Sequence, residues 1–184
     1  MNKIIMKKVH LGCWKRDFPG YINVDICDLP HIHYKSTIDK LPFFEDNSID
    51  YIYCSHALEY YDSIEALDVL KEWKRVMKNG AKLRVCVPDF DPLIQVYKST
   101  NDIDKIIGPL YGRMLIGDKF IYHKTAYNFT KLSNLLSKLG VKNICKYDWR
   151  ITDHANFDDH SQAYYPSMDK ENGLLVSLNV ECEK

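Results

Sequence analysis

Two short apolar runs, KKVHL (Lys7–Leu11) and YINVDI (Tyr21–Ile26), stand too close together for a helix to fit between them. Each has the length of a buried strand, and each closes on a residue suited to a strand end, Gly12 and Asp25. A crossover between parallel strands needs about a dozen residues or more, whereas Gly12 to Tyr21 is ten. The first crossover helix must therefore be missing or cut to a turn, with Pro19-Gly20 at the bend.

Beyond this pair the chain alternates between strand and helix patterns. A weak edge strand is expected near Tyr34 to Thr37 and a stronger one at YIYCS, Tyr51–Ser55. Asp62 and Glu65 have capping-box spacing, and Ala66, Val69, Leu70, Trp73, Val76 and Met77 then share a helical face up to Gly80. KLRVCVP (Lys82–Pro88) reads as a strand, followed by a helix capped at Asp91. Weak periodicity and three glycines make Ser99 to Tyr127 an irregular insert. Thr130 caps a further helix carrying Leu132, Leu135, Leu136 and Leu139, and VKNICKYDW contains a strand. LLVSLNVEC alternates as an edge or antiparallel strand with one solvated face. The expectation is one α/β domain, a three-layer Rossmann-like sandwich with helices on both faces of a mostly parallel sheet. A ligand would lie outside the carboxyl ends of its strands.

Composition narrows the function. Lys plus Arg equals Asp plus Glu at 25 each, so no charge excess points to a nucleic-acid or membrane partner. No apolar stretch approaches the length of a membrane helix or a signal peptide. The six cysteines are scattered, several inside apolar runs, which suits reduced thiols and a cytoplasmic protein.

Three signals fall at strand ends. Gly12 lets backbone approach a ligand closely, and Asp25 is placed to accept both hydroxyls of a ribose. Each is also an ordinary turn or strand-end residue. Asp39, in DKLPFFEDNSID, has access to an adenine amino group, or is simply a solvated acid in a loop. Ser55 and His56 open the loop after the central strand, with Glu59 one turn further on. The glycine pattern of dinucleotide folds is absent, which argues against a nicotinamide-dependent dehydrogenase.

In order and spacing, LGCW, PGYINVD, LPF, SHALEY, RVMKNGAKLRVCVPD and SLNVE resemble the small S-adenosylmethionine-dependent methyltransferases of the class I superfamily, from Val9 to Glu181. The resemblance implies a seven-stranded sheet whose last strand is antiparallel, and S-adenosylmethionine as cofactor. It implies cofactor contacts at Gly12, Cys13, Trp14, Asp25, Ile26, Asp39, Leu41, Ser55 and His56. Trp14 stands where that pattern has a second glycine, so its indole either turns outward against Phe18 or Tyr21 or fills the methionine end of the pocket. This cofactor carries no phosphate, so a phosphate-cradling loop is not required.

The acceptor is expected to be a small molecule or saccharide, with His123 or His154 as base. The stretch Asp153 to Pro166 is read as a polar loop over the cleft, its Asp153, His154, Asp158, Asp159 and His160 being also a set of N/O metal-ligand types. A non-catalytic descendant that binds a nucleoside or a partner subunit is the rival reading.

Overall fold

The computed structural model describes residues 6–184. Its seven-stranded sheet is built from β1 (Lys8–Leu11), β2 (Tyr21–Asp25), β3 (Tyr34–Lys35), β4 (Ile49–Ser55), β5 (Met77–Pro88), β8 (Lys142–Lys146) and β11 (Ser177–Glu183). The strand order is β3-β2-β1-β4-β5-β11-β8, with parallel pairs from β3 to β5 and β11 antiparallel to both of its neighbours. This is a Rossmann-like, mostly parallel sheet whose antiparallel strand β11 lies next to the edge strand β8.

Strand alternation sorts the two faces. Val9, Leu11, Val24, Ile52, Cys54, Val85, Val87 and Val180 point into one continuous aliphatic core. Helix α1 (Glu65–Val76) and helix α4 (Phe129–Ser137) close over it through Leu70, Trp73, Leu132 and Leu136. The Asp62–Glu65 capping box forms: Asp62 N–H donates to Glu65 at 2.8 Å, and Ile64 and Glu65 N–H donate to Asp62 at 2.8 and 2.9 Å.

The opposite face is different. His10, Tyr21, Tyr51, Tyr53 and Cys86 project from it, and no helical residue belongs to the cluster they form. Gly12 to Gly20 contains no helix, so the abridged crossover leaves this face open. Phe18 fills the space, stacking on His10 at 4.6 Å and on His154 at 5.2 Å. The loop around residues 153–160 lies over it, tied down by Tyr21 O–H to Asp153 at 2.9 Å and by Tyr53 O–H to Asp159. The third layer is thus an aromatic plug and a loop where helices were expected.

Several elements differ from the sequence expectation: Met77 and the residues up to Ala81, read as the end of a helix and its stop, already belong to strand β5. Helix α2 (Phe90–Thr100) is capped by Asp89, not Asp91, whose N–H donates to the Asp89 carboxylate. Asn128, not Thr130, caps α4, because its side chain accepts from Lys131 N–H. The insert is ordered, comprising α3 (Asp104–Tyr111) and a hairpin of β6 (Met114–Ile116) and β7 (Lys119–Ile121), and its local pairing over three residues per strand is too short to show as periodicity. Strand β11 is internal and buried on both faces, since Ser177 and Asn179 are covered by the loop that replaces a helix; β8 forms the edge. Two further short strands, β9 (Tyr164–Tyr165) and β10 (Leu174–Leu175), pair with each other. Among the described residues, no helix is long and apolar enough to cross a membrane.

Candidate functional site

A cavity of about 790 Å³ opens at the carboxyl ends of β1, β2, β4 and β5. Gly12, Asp25, Ser55 and Pro88 mark those four ends in its wall.

The wall by β1 and β2 is drawn together by Asp25. Its two carboxylate oxygens accept Trp14 N–H and Cys27 N–H, each at 2.8 Å, which binds the β1–β2 loop to the exit of β2. Each oxygen keeps a lone pair for a ligand hydroxyl. Gly12 has φ +66, and a Cβ on it would lie 2.7 Å from Ala57 Cβ, so the loops after β1 and β4 meet where only glycine fits. Cys13 and Ile26 also line the cavity. Burial, and then the charge of Asp25, push the Cys13 thiol up to about 12, so it stays protonated.

Trp14 is half-buried in the same wall. Its carbonyl oxygen accepts from His31 Nε2 at 2.7 Å, and the cations of Lys15 and Arg16 lie 4.8 and 5.2 Å from its ring. Its aromatic partners were expected to be Phe18 or Tyr21, but Phe18 is committed to the plug on the other face.

The next segment corrects two assignments. Ser36, Thr37 and Ile38 line the cavity, whereas Leu41 is wholly inside the core. Helix α1 clamps this stretch: Trp73 Nε1 donates to the Ile38 carbonyl at 2.7 Å, and Glu72 accepts Leu41 N–H at 2.9 Å. That clamp holds Leu41 in the core, away from the cavity. Asp39 lies just behind the wall, its carboxylate accepting the Tyr61 hydroxyl at 2.9 Å, and it is Tyr61 that faces the cavity. Burial alone would raise Asp39, but the hydroxyls of Thr37 and Tyr61 and the charge of Lys40 outweigh it and hold the carboxyl below its ordinary value.

The loop after β4 brings the ionisable groups together. His56 has φ +53, and its Nε2 lies 3.0 Å from Ser177 Oγ. One turn on, Glu59 is fully buried, and neither of its carboxylate oxygens has a hydrogen-bond partner. His56 Nδ1 is 3.6 Å and His123 Nε2 3.7 Å from the same oxygen, Oε1. His123 reaches this place because Lys124 N–H donates to the Glu59 carbonyl at 2.8 Å and its own N–H to Tyr111 at 2.8 Å. Tyr60 meets its ring edge-on at 4.8 Å. Burial pushes Glu59 up to about 8, and burial above all pushes His56, His123 and His160 down, so the imidazoles are neutral near pH 7.

Of the two expected bases, only His123 stands in the wall. His154 is 1% exposed, wedged between Phe18 and Tyr53 on the plugged face, because the missing crossover helix leaves space there for its loop. From the same loop, His160 and Asp159 reach the cavity instead. Among the described residues, no group of three or more His, Cys, Asp or Glu side chains is arranged to hold a metal ion. Glu59 escaped sequence reasoning as a site residue, although its spacing three residues after His56 in SHALEY carried the signal.

Residues 21–85 match the family model described as "Methyltransferase domain". A curated relative, an uncharacterised protein of Methanocaldococcus jannaschii, is 29% identical over 120 residues, 64% of this chain and 51% of that protein. The chain thus spans about half the length of that relative. An S-adenosylmethionine-dependent methyltransferase from Thermotoga maritima has a similar structure at TM-score 0.59 and 16% identity, covering 97% of this chain and 82% of that one. The 1,6-didemethyltoxoflavin-N1-methyltransferase of Burkholderia thailandensis, with bound 1,6-didemethyltoxoflavin and S-adenosylhomocysteine, is similar at TM-score 0.56 and 8% identity, covering 96% and 70%.

Proposed function

We propose that this chain is a class I S-adenosylmethionine-dependent methyltransferase, and that it transfers a methyl group to a small-molecule acceptor bound in the cavity at the carboxyl ends of its sheet. The observation that carries this reading is the Asp25 clamp beside Gly12. A buried carboxylate with a free lone pair on each oxygen suits a ribose, next to backbone brought close by a glycine. Ser55 adds a buried hydroxyl with no protein partner in the same wall. A volume of about 790 Å³ leaves room for a second, smaller ligand beside a nucleoside.

The cofactor, when bound, supplies an electrophilic methyl on a sulfonium. Asp25 would hold its ribose, Ile26 and Ile38 would flank the adenine, and Asp39 would act through Tyr61 rather than by direct contact. The turn at Gly12 to Trp14 and the Ser55–His56 loop would receive the methionine end. The insert, with His123, Tyr60 and Met114, and the loop with His160 would wall the acceptor side, and His123 would take a proton from a poorly ionised acceptor. Methyl transfer depends mainly on alignment, which a rigid wall supplies. The Burkholderia enzyme, whose structure holds an acceptor and S-adenosylhomocysteine together, supports a small-molecule acceptor.

Titration calorimetry with S-adenosylmethionine and S-adenosylhomocysteine tests the cofactor, and methyl release onto candidate small molecules tests turnover. Binding of both nucleosides with micromolar affinity is expected. Absence of binding by either would overturn the reading.

A further inference from the structure

Glu59 is a buried carboxyl with nothing to neutralise it except two imidazoles that themselves line the cavity. The tautomer of one imidazole is fixed by its surroundings. His123 Nδ1 lies 3.1 Å from the Pro109 carbonyl, which can only accept, so Nδ1 carries the hydrogen and the neutral ring presents its lone pair at Nε2. That lone pair faces Glu59 Oε1 at 3.7 Å. A bare carboxylate there would oppose a lone pair across 3.7 Å, so this facing favours the protonated, uncharged carboxyl.

We propose that the buried Glu59 carboxyl, facing His123 behind the cavity wall, holds a single labile proton, and that this makes the cavity a proton-coupled site that distinguishes a cationic ligand from a neutral one of the same shape. An arriving positive charge favours the ionised carboxyl and expels the proton; a neutral ligand leaves it in place. The inference rests on the proposed cofactor, whose sulfonium is the cation and whose thioether product is its uncharged counterpart.

The surroundings single out Glu59 as the titrating group. On β4, burial first and Glu59 next push the Cys54 thiol far up, and on the following turn burial pushes Tyr60 up to about 12. Tyr127, in the segment leading into α4, is likewise raised, again by burial first and then by Glu59. These three stay neutral through the physiological range. His56 and, against it, His160 are held neutral by burial. The nearby fixed charges are Arg16, from the β1–β2 loop, and Lys124, which Glu65 pairs at 2.8 Å. Burial, by contrast, brings Glu59 up to about 8, within the range where a ligand charge shifts its ionisation.

The test is calorimetric binding of S-adenosylmethionine and S-adenosylhomocysteine to the whole chain, in buffers of different ionisation enthalpy, between pH 6 and 9. The two ligands share their amino and carboxylate groups, so the ratio of their affinities isolates the sulfur. Proton release is expected with S-adenosylmethionine at pH 7 and none with S-adenosylhomocysteine. The affinity ratio should move at least about threefold toward the sulfonium as pH rises through about 8, and Glu59→Gln should abolish both effects. Two bound ligands with a pH-independent ratio, or a Glu59→Gln variant that releases protons like the wild type, would overturn the inference and leave the cofactor reading intact. Binding by neither ligand would overturn the cofactor reading and the proposed discrimination with it. The Glu59 proton has its own readout in the ligand-free protein, the ring nitrogen resonances of the facing His123 followed by NMR. A titration step near pH 8 that vanishes in Glu59→Gln is expected, and a wild type without that step overturns the pairing.

Discussion

Gly112 has no side chain where the imidazole of His123 lies: a Cβ built on it would stand 2.1 Å from His123 Nε2. The same glycine has φ +42, a left-handed value that side chains rarely adopt. Gly112→Ala should therefore displace the ring as well as strain the backbone. A loss of about 2–4 kcal/mol is expected. Gly117→Ala, at φ +60 with open space around it, is the control and should cost about 1–2 kcal/mol. Denaturant unfolding of both variants gives the comparison. Equal losses would mean that the ring moves aside without cost.

Phe18 is the side chain that stands in for a helix. It is 1% exposed and contacts His10, Tyr53, His154 and Phe157. Phe18→Ala should cost about 3–5 kcal/mol and open the loop over it. Amide exchange in residues 153–160 should accelerate more than exchange in α1, which belongs to the other face. Uniform acceleration would show that the two faces unfold together.

Asp25→Ala should weaken S-adenosylhomocysteine binding at least about tenfold, since charge-assisted hydrogen bonds contribute about 1.5–3 kcal/mol each. The same change leaves the Trp14 and Cys27 N–H groups without their acceptor, so a measurable loss of stability should accompany it. Calorimetry and thermal unfolding read the two effects separately. Unchanged affinity would remove Asp25 from the ribose site.

Trp14→Gly distinguishes a wall from a plug. With Lys15 and Arg16 over its ring and the cavity standing open beside it, the tryptophan should serve as wall, and the variant should bind S-adenosylmethionine no more tightly than the wild type. A much tighter complex would mean that the indole occupies the methionine end.

Glu59 also gives the protein a pH signature without any ligand. The folded chain holds this carboxyl up to about 8 against an ordinary 4.5, so it binds more protons than the unfolded chain between those values. Stability therefore falls as pH rises through that window, and the penalty is complete above about pH 8. His56 and His123, held low by burial, act in the opposite sense near pH 6. Comparing Glu59→Gln with the wild type isolates the carboxyl, and the advantage of the variant should grow by a few kcal/mol, roughly, from pH 5 to pH 9. Parallel pH profiles would show that the carboxyl is solvated.

The chain by itself determined the sheet and the edge at which the cavity opens. Apolar alternation in β1, β2, β4 and β5 can be satisfied in one register only, and a ten-residue link between parallel strands admits no helix. Gly12, Asp25 and Ser55 were legible for the same reason, since a residue at a strand end is placed by the strand. What covers the helix-free face was decided by tertiary structure, because the buried aromatic rings of that face accept any complementary segment, and the loop near residue 154 supplies one from more than 130 positions away. That choice removed His154 from the cavity and brought in His160. The clamp of α1 on Leu41, and the meeting of Glu59 with His123 across the insert, are likewise contacts between segments distant in sequence. Local periodicity fixes which face a residue takes, but side-chain packing alone fixes which neighbour it finds there.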